Sequence, residues 1–334
     1  MQFKHRLARV DKTPLAVVGS LAEISGRRAG RRRHRENPQG RGKYRRSSRD
    51  KAHTISLHSY GEAHLVKHIP GRHFVRNLVQ RRSLVAQLVR RDFQQRYVGS
   101  AAGWIWGVIH PLVLLLSWTF IFQVCLKTKL PPGSVTQNYT MFLFCGMLPW
   151  LLFQDTVLRS APSMVEQGTL ITRTLFPAEV VPVSIFLSSL IHHLIALLLV
   201  MIASVIVLKS ISPMVLLLPL YMLFIGLFAV GVGWFVSSLQ VYLRDTAQVL
   251  TVVMTLWFWF TPIMISEQIV PPRFQPLLRL NPMFWIVRAY RDRLLSAQWP
   301  SWEEFAVLSA YSSLTFIAGG LFFRHLKRGF ADVL

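Results

Sequence analysis

The sequence predicts an all-α membrane protein. We expect six transmembrane helices, an N-terminal amphipathic helix at the membrane interface, and re-entrant helices on the outer side between spans five and six. The chain of 334 residues is 52% hydrophobic, yet its net charge is +23. The two properties are separated along the chain, because residues 1–100 hold 24 Lys/Arg and 6 Asp/Glu (net +18), whereas residues 101–334 hold 14 and 9 (net +5). The second part also contains apolar runs near the ~20 residues that a helix needs to cross a bilayer.

Residues 1–72 form the basic head. The stretch Arg27–Arg49 is dense in like charge and poor in apolar side chains, a composition typical of disorder. We therefore predict an unstructured extension before a membrane domain at residues 73–334. Its charge would suit RNA or anionic lipid, and no sequence feature indicates a specific nucleic acid.

Residues 74–97 are predicted to form the interfacial helix. Apolar residues recur at helical spacing on one face, while arginine and glutamine occupy the other. Such a helix lies in the plane of the interface instead of crossing the membrane. Gly99 is expected to end it, and Ser100 is placed to cap the next helix.

Six segments are long and apolar enough to be the spans. Asp155, at the end of the second, is the one Asp, Glu, Lys or Arg in them. Pro/Gly-rich or charged breaks separate them. The predicted spans are Trp104–Leu126, Tyr139–Val157, Val180–Leu208, Pro213–Leu239, Val249–Ile265 and Phe305–Phe323.

An even number of spans places both termini on one side, and the basic head predicts that this side is the cytoplasm. Residues 266–302 carry five arginines on the side then predicted to be outside. Because this segment is also partly apolar, it is expected to contain the re-entrant helices.

The sequence lacks the motifs of several function classes. The sequence lacks the Gly-x-Ser-x-Gly elbow, His-Glu-x-x-His, Cys-x-x-Cys and the phosphate-binding Gly-x-x-x-x-Gly-Lys-Ser/Thr loop. No metal site is predicted, and His110, His192 and His193 are interpreted mainly as packing residues. The chain is thus not expected to be an enzyme, and energy for transport would come from a partner. Cys125 and Cys145 are predicted to be small packing residues.

The aromatic residues admit two readings. Trp150, Trp299 and Trp302 fall near predicted span ends, where aromatic belts are common. Tryptophans inside the spans are also expected to pack, with stacking on a passing glycan as the alternative. These interior residues are Trp104, Trp106, Trp118, Trp234, Trp257 and Trp259.

One ordered set of short motifs resembles the membrane subunits of type-2 ABC exporters, in particular the exporters of O-antigen, capsule and teichoic acid chains. The resemblance covers residues 74–334. Its first part combines the end of the interfacial helix with the first span, through Arg91, Asp92, Arg96, Tyr97, Ser100, Gly103, Trp106 and Pro111. Its later parts contain Arg244, Asp245, Pro262, Asn281, Pro282, Arg291 and Asp292.

The resemblance implies a cytoplasmic coupling helix within residues 159–177, which would sit in a groove of a separate ATPase. Its expected contacts are Arg159, Glu166, Leu170, Ile171, Arg173, Phe176 and Pro177. The resemblance further implies a homodimer in the bacterial inner membrane, surrounded by membrane lipids and moving a polyprenyl-diphosphate-linked glycan. ATP and Mg²⁺ would bind the partner, and no cofactor is expected on this chain. Gln167-Gly168-Thr169 departs from the family, in which an Asn is common before Leu170.

Three alternatives remain open from the sequence. An exporter of drugs or small lipids would share the fold. A membrane-embedded glycosyltransferase would need an ionisable side chain near an aqueous cavity, and the third is a nucleic-acid-binding membrane anchor. The few acids available to a glycosyltransferase are Asp92, Asp155, Glu267 and Asp292.

Overall fold

The computed structural model describes residues 82–100, 103–173, 176–209 and 212–333. These residues form a bundle of helices, and no β-strand occurs among them. The all-α prediction is therefore confirmed for this part of the chain. The basic head, residues 74–81 of the interfacial helix and Leu334 lie outside it.

The α-helices of the described residues are joined by short turns, several of which are 3₁₀-helical. In chain order they are α1 (Arg82–Gln95), α2 (Trp106–Thr119, continued by a π-helical turn Phe120–Cys125), α3 (Tyr139–Glu166), α4 (Gly168–Arg173), α5 (Val180–Leu208), α6 (Leu218–Tyr242), α7 (Thr246–Phe260), α8 (Gln275–Arg279), α9 (Pro282–Leu295), α10 (Trp302–Leu326) and α11 (Phe330–Val333).

Five helical segments of the described chain are long and apolar enough to cross a membrane. The third was predicted with both its ends correct. The five segments are Trp106–Cys125, Tyr139–Glu166, Val180–Leu208, Pro213–Tyr242 and Trp302–Gly329.

The fifth predicted span, Val249–Ile265, is wrong at both ends, because α7 covers Thr246–Phe260. Its 15 residues rise only about 22 Å at ~1.5 Å per residue. The helix stops because Pro262 has no N–H to donate, and because the Pro262 carbonyl instead accepts a hydrogen bond from Arg291 Nη1 at 2.7 Å.

The second span is longer than predicted. Instead of ending at Val157, α3 continues to Glu166. Asp155 and Arg159, the charges that suggested an end, are paired with Arg96, which directly follows α1, and with Asp92 of α1. Residues 159–166, expected in the coupling loop, are therefore part of the long helix α3, and only α4 and the turn after it remain of the predicted loop.

The helix α3 is the centre of the bundle and packs against α5, α6, α7 and α9. Trp150, predicted near a span end, is instead 1% exposed and packs between Phe153, Trp257 and Phe258. Cys145 is buried in this core as predicted, whereas Cys125 is exposed, so the packing prediction is wrong for Cys125; both thiols are free.

The helix α2 lies at the edge of the bundle. None of the residues of its helical segment is buried within the chain, although this segment is predominantly apolar. Its exposed side chains require a covering, which membrane lipid or another protein surface would provide.

The bundle has two ends, which we call the α4 face and the α9 face. The first and the last described helices, α1 and α11, both lie at the α4 face. At the α4 face, α3 ends, α5 begins, α1 packs against α5, and Lys327 Nζ at the end of α10 lies 2.7 Å from Glu179 Oε1. At the opposite α9 face, α9 contacts the start of α3 and the end of α7 through Arg291.

Candidate functional site

Four charged side chains form a closed ring at the α4 face, which we call the four-charge ring. Asp92 comes from α1 and Arg96 from the turn that directly follows Gln95, which is counted with α1 from here on, and Asp155 and Arg159 come from α3. Arg96 Nη2 lies 2.7 Å from Asp155 Oδ2, and Arg159 Nη2 donates to Asp92 Oδ1. The two contacts within each helix, Arg96 Nε–Asp92 Oδ2 and Arg159 Nη1–Asp155 Oδ2, are both 3.9 Å long. Acid and base thus alternate around the ring.

The helix α5 closes this ring on one side. Ser189 Oγ donates to Asp155 Oδ2 at 2.5 Å and accepts from Arg96 Nη2 at 3.0 Å. Three helices therefore meet at one carboxylate. Because each charge has an opposite partner and a hydrogen bond, the desolvation cost of placing four charges between helices is offset.

Tyr97 extends the ring towards α2. Its Oη lies 2.5 Å from His192 Nε2 on α5, and the two rings stack with centroids 5.7 Å apart. His192 Nδ1 lies 3.1 Å from the Ser188 carbonyl, which can only accept, so Nδ1 carries the proton and Nε2 accepts from Tyr97. Burial raises the pKa of Tyr97, which keeps its hydroxyl a donor.

Gly107 in the first turn of α2 leaves room for this hydroxyl. A Cβ at Gly107 would lie 2.7 Å from Tyr97 Oη and 3.7 Å from His192 Cδ2. The end of the interfacial segment therefore contacts α2 and α5 at one point.

The helix α4, at residues 168–173, follows α3 directly. Ile171 and Phe176 are partly buried and pack against the core of this chain, so they hold the segment to the spans. Arg159 belongs to the four-charge ring, while Glu166 is exposed. Pro177 lies partly buried in the turn before α5. The side chains of Leu170 and Arg173 lie outside the described part.

At the α9 face, Asn281 joins the end of α7 to the start of α9. Its Oδ1 accepts from the backbone N–H of Met283 at 3.0 Å, which caps α9, and from Trp257 Nε1 at 2.9 Å. Its Nδ2 donates to Thr261 Oγ1 at 3.0 Å. Pro282 occupies the first turn of α9, where its missing N–H costs nothing.

Arg291 is buried and fastens the break after α7. Its guanidinium donates to the carbonyls of Phe142 (3.1 Å), Pro262 (2.7 Å) and Ile263, and lies 3.6 Å from the centre of the Phe142 ring. Burial lowers the pKa of Arg291 to about 10, so the side chain stays charged at neutral pH. The family resemblance marked Arg291 as a motif residue, but it did not predict that Arg291 binds these carbonyls.

A second buried arginine, Arg293, pairs with Glu304 of α10, and Tyr221 donates to the same carboxylate. Asp292 is mostly buried near Arg288, at 3.8 Å, and burial raises its pKa to about 6. The arginines of residues 266–302 that seemed to oppose the predicted orientation are thus partly neutralised within the fold.

The tryptophans predicted to line a path separate into distinct groups. Trp234 is buried and donates to the Glu179 carbonyl at 2.9 Å, and Trp257 is packed in the core beside Phe153. Both side chains pack within the described bundle, and glycan stacking remains the alternative for the tryptophans inside the spans. Trp118 is partly buried beside Phe122, whereas Trp106 and Trp259 are exposed. The side chain of Trp104 is outside the described part.

The remaining predicted residues are not gathered into one site. Arg91 is exposed on α1, and Arg244 and Asp245 are exposed between α6 and α7. Gly103 has a φ of +53° in the turn before α2, Ser100 lies in the same turn, and Pro111 lies inside α2. Within the described ranges, no group of three His, Cys, Asp or Glu residues is placed to hold a metal ion.

The sequence did not indicate the polar contacts made by Ser189, His192, Tyr221, Arg293, Glu304 and Gln240. Ser189, His192 and Glu304 lie in apolar helices, where a single polar side chain gives no indication of its partner. Gln240 bridges the turn after α6, since its Nε2 donates to the Arg244 carbonyl at 2.8 Å and its Oε1 accepts from the Ala247 N–H at 2.7 Å. Asp155 was noted only as the single charged residue within the predicted spans. This isolated charge was the one sign in the sequence that Asp155 has a partner in another helix.

Comparison with known proteins is consistent with this architecture. The profile of the ABC-2 type transporter family matches residues 83–295. A protein of Myxococcus xanthus named O-antigen export system permease protein RfbA is 27% identical over 260 residues, which are 77% of this chain and 98% of that protein. Two proteins of Klebsiella pneumoniae with the same name are each 26% identical, over 252 and 253 residues, which are 75% of this chain and 95% of each relative.

Proposed function

This chain belongs to the ABC-2 type transporter family, and from that premise we propose that it is the permease subunit of an ATP-driven exporter of a lipid-linked polysaccharide. The family match carries the proposal, and the apolar helices identify the chain as a multi-pass membrane subunit. The relatives named as O-antigen export permeases support the substrate class. ATP and Mg²⁺ would bind on the separate ABC ATPase subunit.

Coupling to that ATPase is assigned to the α4 face. The segment α4 lies at the end of the long helix α3, and its contacts through Ile171 and Phe176 fix it to the spans. A short helix fixed in this way can insert a few apolar side chains into a partner groove, which is a common mode of recognition. Leu170 is the residue proposed to make the central contact.

The α4 face is proposed to be cytoplasmic, with the basic head and both termini on that side. In this arrangement α7 also spans the membrane, as the fifth of six spans in chain order and the shortest of them. The helix α9 is then the outer re-entrant helix. Two copies of the chain would place the apolar, outward-facing α2 and α7 near a shared path, where Trp106, Trp118 and Trp259 remain available to a glycan.

The proposal is tested in the native host by replacing the gene with variants. Leu170→Asp should leave the protein in the membrane but prevent co-purification of the ATPase, because a charge at a desolvated apolar contact costs several kcal/mol. Surface polysaccharide should then fall, and lipid-linked glycan should accumulate on the cytoplasmic leaflet.

Val135→Asp is the matched control, since Val135 is exposed in the connection between α2 and α3, away from the α4 face. If Leu170→Asp keeps both ATPase binding and surface polysaccharide, α4 is not the coupling element. If deletion of the gene leaves surface polysaccharide intact and instead sensitises the cells to drugs, the substrate class is wrong.

A further inference from the structure

The four-charge ring has a property that simple ion pairs lack, because each charge has two opposite neighbours. In the structure the contacts between helices are made, while the contacts within α1 and within α3 are 3.9 Å long. We propose that Asp92, Arg96, Asp155 and Arg159 are positioning residues for transport. They hold α1 to α3 in the present pairing and release α1 when each arginine turns to the aspartate of its own helix. This proposal rests on the proposed function.

The unpaired atoms support the second pairing. Asp92 Oδ2, Arg96 Nε and Arg159 Nη1 are buried and have no hydrogen-bond partner. These are atoms of the two 3.9 Å contacts within the helices. Buried polar atoms without partners are costly, and a small rotation that brings these contacts to bonding distance would satisfy them. The same four side chains can thus satisfy two arrangements with equal numbers of ion pairs.

The position of the ring connects it to the coupling segment. Asp155 and Arg159 lie on the last three turns of α3, which ends at Glu166, two residues before α4 begins. From Arg159 to Glu166 the helix rises only about 10 Å. A displacement of α4 by a partner therefore acts on these two charges through a short, stiff helical segment.

The other side of the ring connects to the first span. Arg96 is followed directly by Tyr97, whose hydroxyl lies between His192 and Gly107. When α1 is held to α3, this contact fixes the start of α2 against α5. Release of α1 frees the start of α2, and α2 has no buried residue of its own to hold it in place.

Apolar packing alone would not give this behaviour. Val85 and Phe93 of α1 face α5, and apolar contacts of this kind allow sliding because they are not directional. Ion pairs fix one register, and alternation of charge permits two defined registers in place of a continuous series. Two discrete arrangements are what a coupled transport step requires.

Helix-wise charge swaps test the proposal, because they separate the two pairings. Asp92→Arg with Arg96→Asp preserves the pairing within α1 but opposes like charges across the helices. Asp155→Arg with Arg159→Asp does the same from α3. The two swaps together restore both pairings with inverted signs and unchanged net charge.

The assay measures export and ATP hydrolysis by the permease–ATPase complex in proteoliposomes. Each single-helix swap should bind the ATPase and hydrolyse ATP, but export should fall on the order of tenfold or more, since like charges now face each other across the helices. The combined swap should recover most of the export. Arg90→Gln removes an exposed charge of α1 that lies outside the ring, and this variant should export as the native chain does.

Export by either single-helix swap at the native rate overturns the proposal, and so does a combined swap that assembles with the ATPase but does not recover. A milder variant, Arg96→Gln with Asp155→Asn, removes one pair without repulsion. Spin labels at the exposed positions 87 and 165 should then show a broader distance distribution, and an unchanged distribution also overturns the proposal. Absence of ATP-dependent export by the native complex would instead refute the proposed function.

Discussion

The effect of Gly107→Ala on stability is expected to depend on whether residue 97 carries a hydroxyl group. In the native chain, Gly107→Ala places a Cβ 2.7 Å from Tyr97 Oη. Ordinary contact begins near 3.4 Å, so the hydroxyl must retreat by about 0.7 Å from a hydrogen bond of 2.5 Å to His192. Loss of that bond costs roughly 1 kcal/mol, and residual crowding adds about 1–3 kcal/mol.

In a Tyr97→Phe background the obstructing oxygen is absent, and the next ring atom lies 3.7 Å from the added Cβ. The substitution then retains only the helix-forming advantage of Ala over Gly, up to about 1 kcal/mol. We therefore expect Gly107→Ala to destabilise the native protein and to be neutral or stabilising beside Tyr97→Phe.

The assay is the midpoint of thermal unfolding in detergent for the native chain, both single variants and the double variant. The expected outcome is a coupling free energy of about 2–4 kcal/mol, the sum of the lost hydrogen bond and the crowding. Equal effects of Gly107→Ala in both backgrounds would show that Tyr97 does not contact α2, and the connection between α1 and the first span would lose its basis.

Other predictions concern the packing and charges of the bundle. Gly319→Ala should lower the unfolding temperature much more than Gly320→Ala. A Cβ at Gly319 would meet the backbone of α6, whereas a Cβ at Gly320 would meet a side-chain ring at 3.3 Å. Equal effects of the two substitutions would contradict the close approach of α6 and α10. Arg293→Met should cost about 3–5 kcal/mol by leaving Glu304 buried and unpaired, and Glu304→Leu in the same chain should recover most of it; additive losses, measured by the same unfolding assay, would refute the pairing. Burial raises the pKa of Asp292 to about 6, so the folded state binds the proton more tightly than the unfolded state and loses up to about 3 kcal/mol of stability as the pH rises from about 4 to 6. Asp292→Asn should remove this loss and be the more stable protein at pH 7; an unchanged pH dependence would count against it.

The sequence predicted the long helices well because their apolar runs are bounded by strong breaks. Val180–Leu208 is confirmed at both ends, since charged and turn-forming residues flank an uninterrupted apolar run. The predicted end of the second span was too early because Asp155 and Arg159 interrupt the uncharged run of residues there. Asp155 and Arg159 can lie inside a long helix because each has an oppositely charged partner. These partners, Arg96 and Asp92, are 59 and 67 residues away, so the local sequence does not reveal them.

The site was predicted only in part for the same reason. The i,i+4 spacing of Asp92 and Arg96, and of Asp155 and Arg159, is visible in the sequence, but their opposition across two helices is a tertiary feature. The tryptophans show a second limit of prediction from sequence, because residues in similar sequence contexts differ in burial. Trp234 and Trp259 are similar in sequence context, yet one is buried and the other is 67% exposed, because helix rotation depends on what each face packs against.

Under the proposed function, this chain moves a lipid-linked polysaccharide only when its ATPase partner acts on the α4 face. The most direct measurement is translocation of a lipid-linked O-antigen-type glycan in proteoliposomes that contain the native chain and the ATPase, with and without ATP, beside the Leu170→Asp variant. We predict ATP-dependent translocation by the native complex and none by the variant. Translocation by the native chain at the same rate without ATP, or by Leu170→Asp at the native rate, would contradict the account.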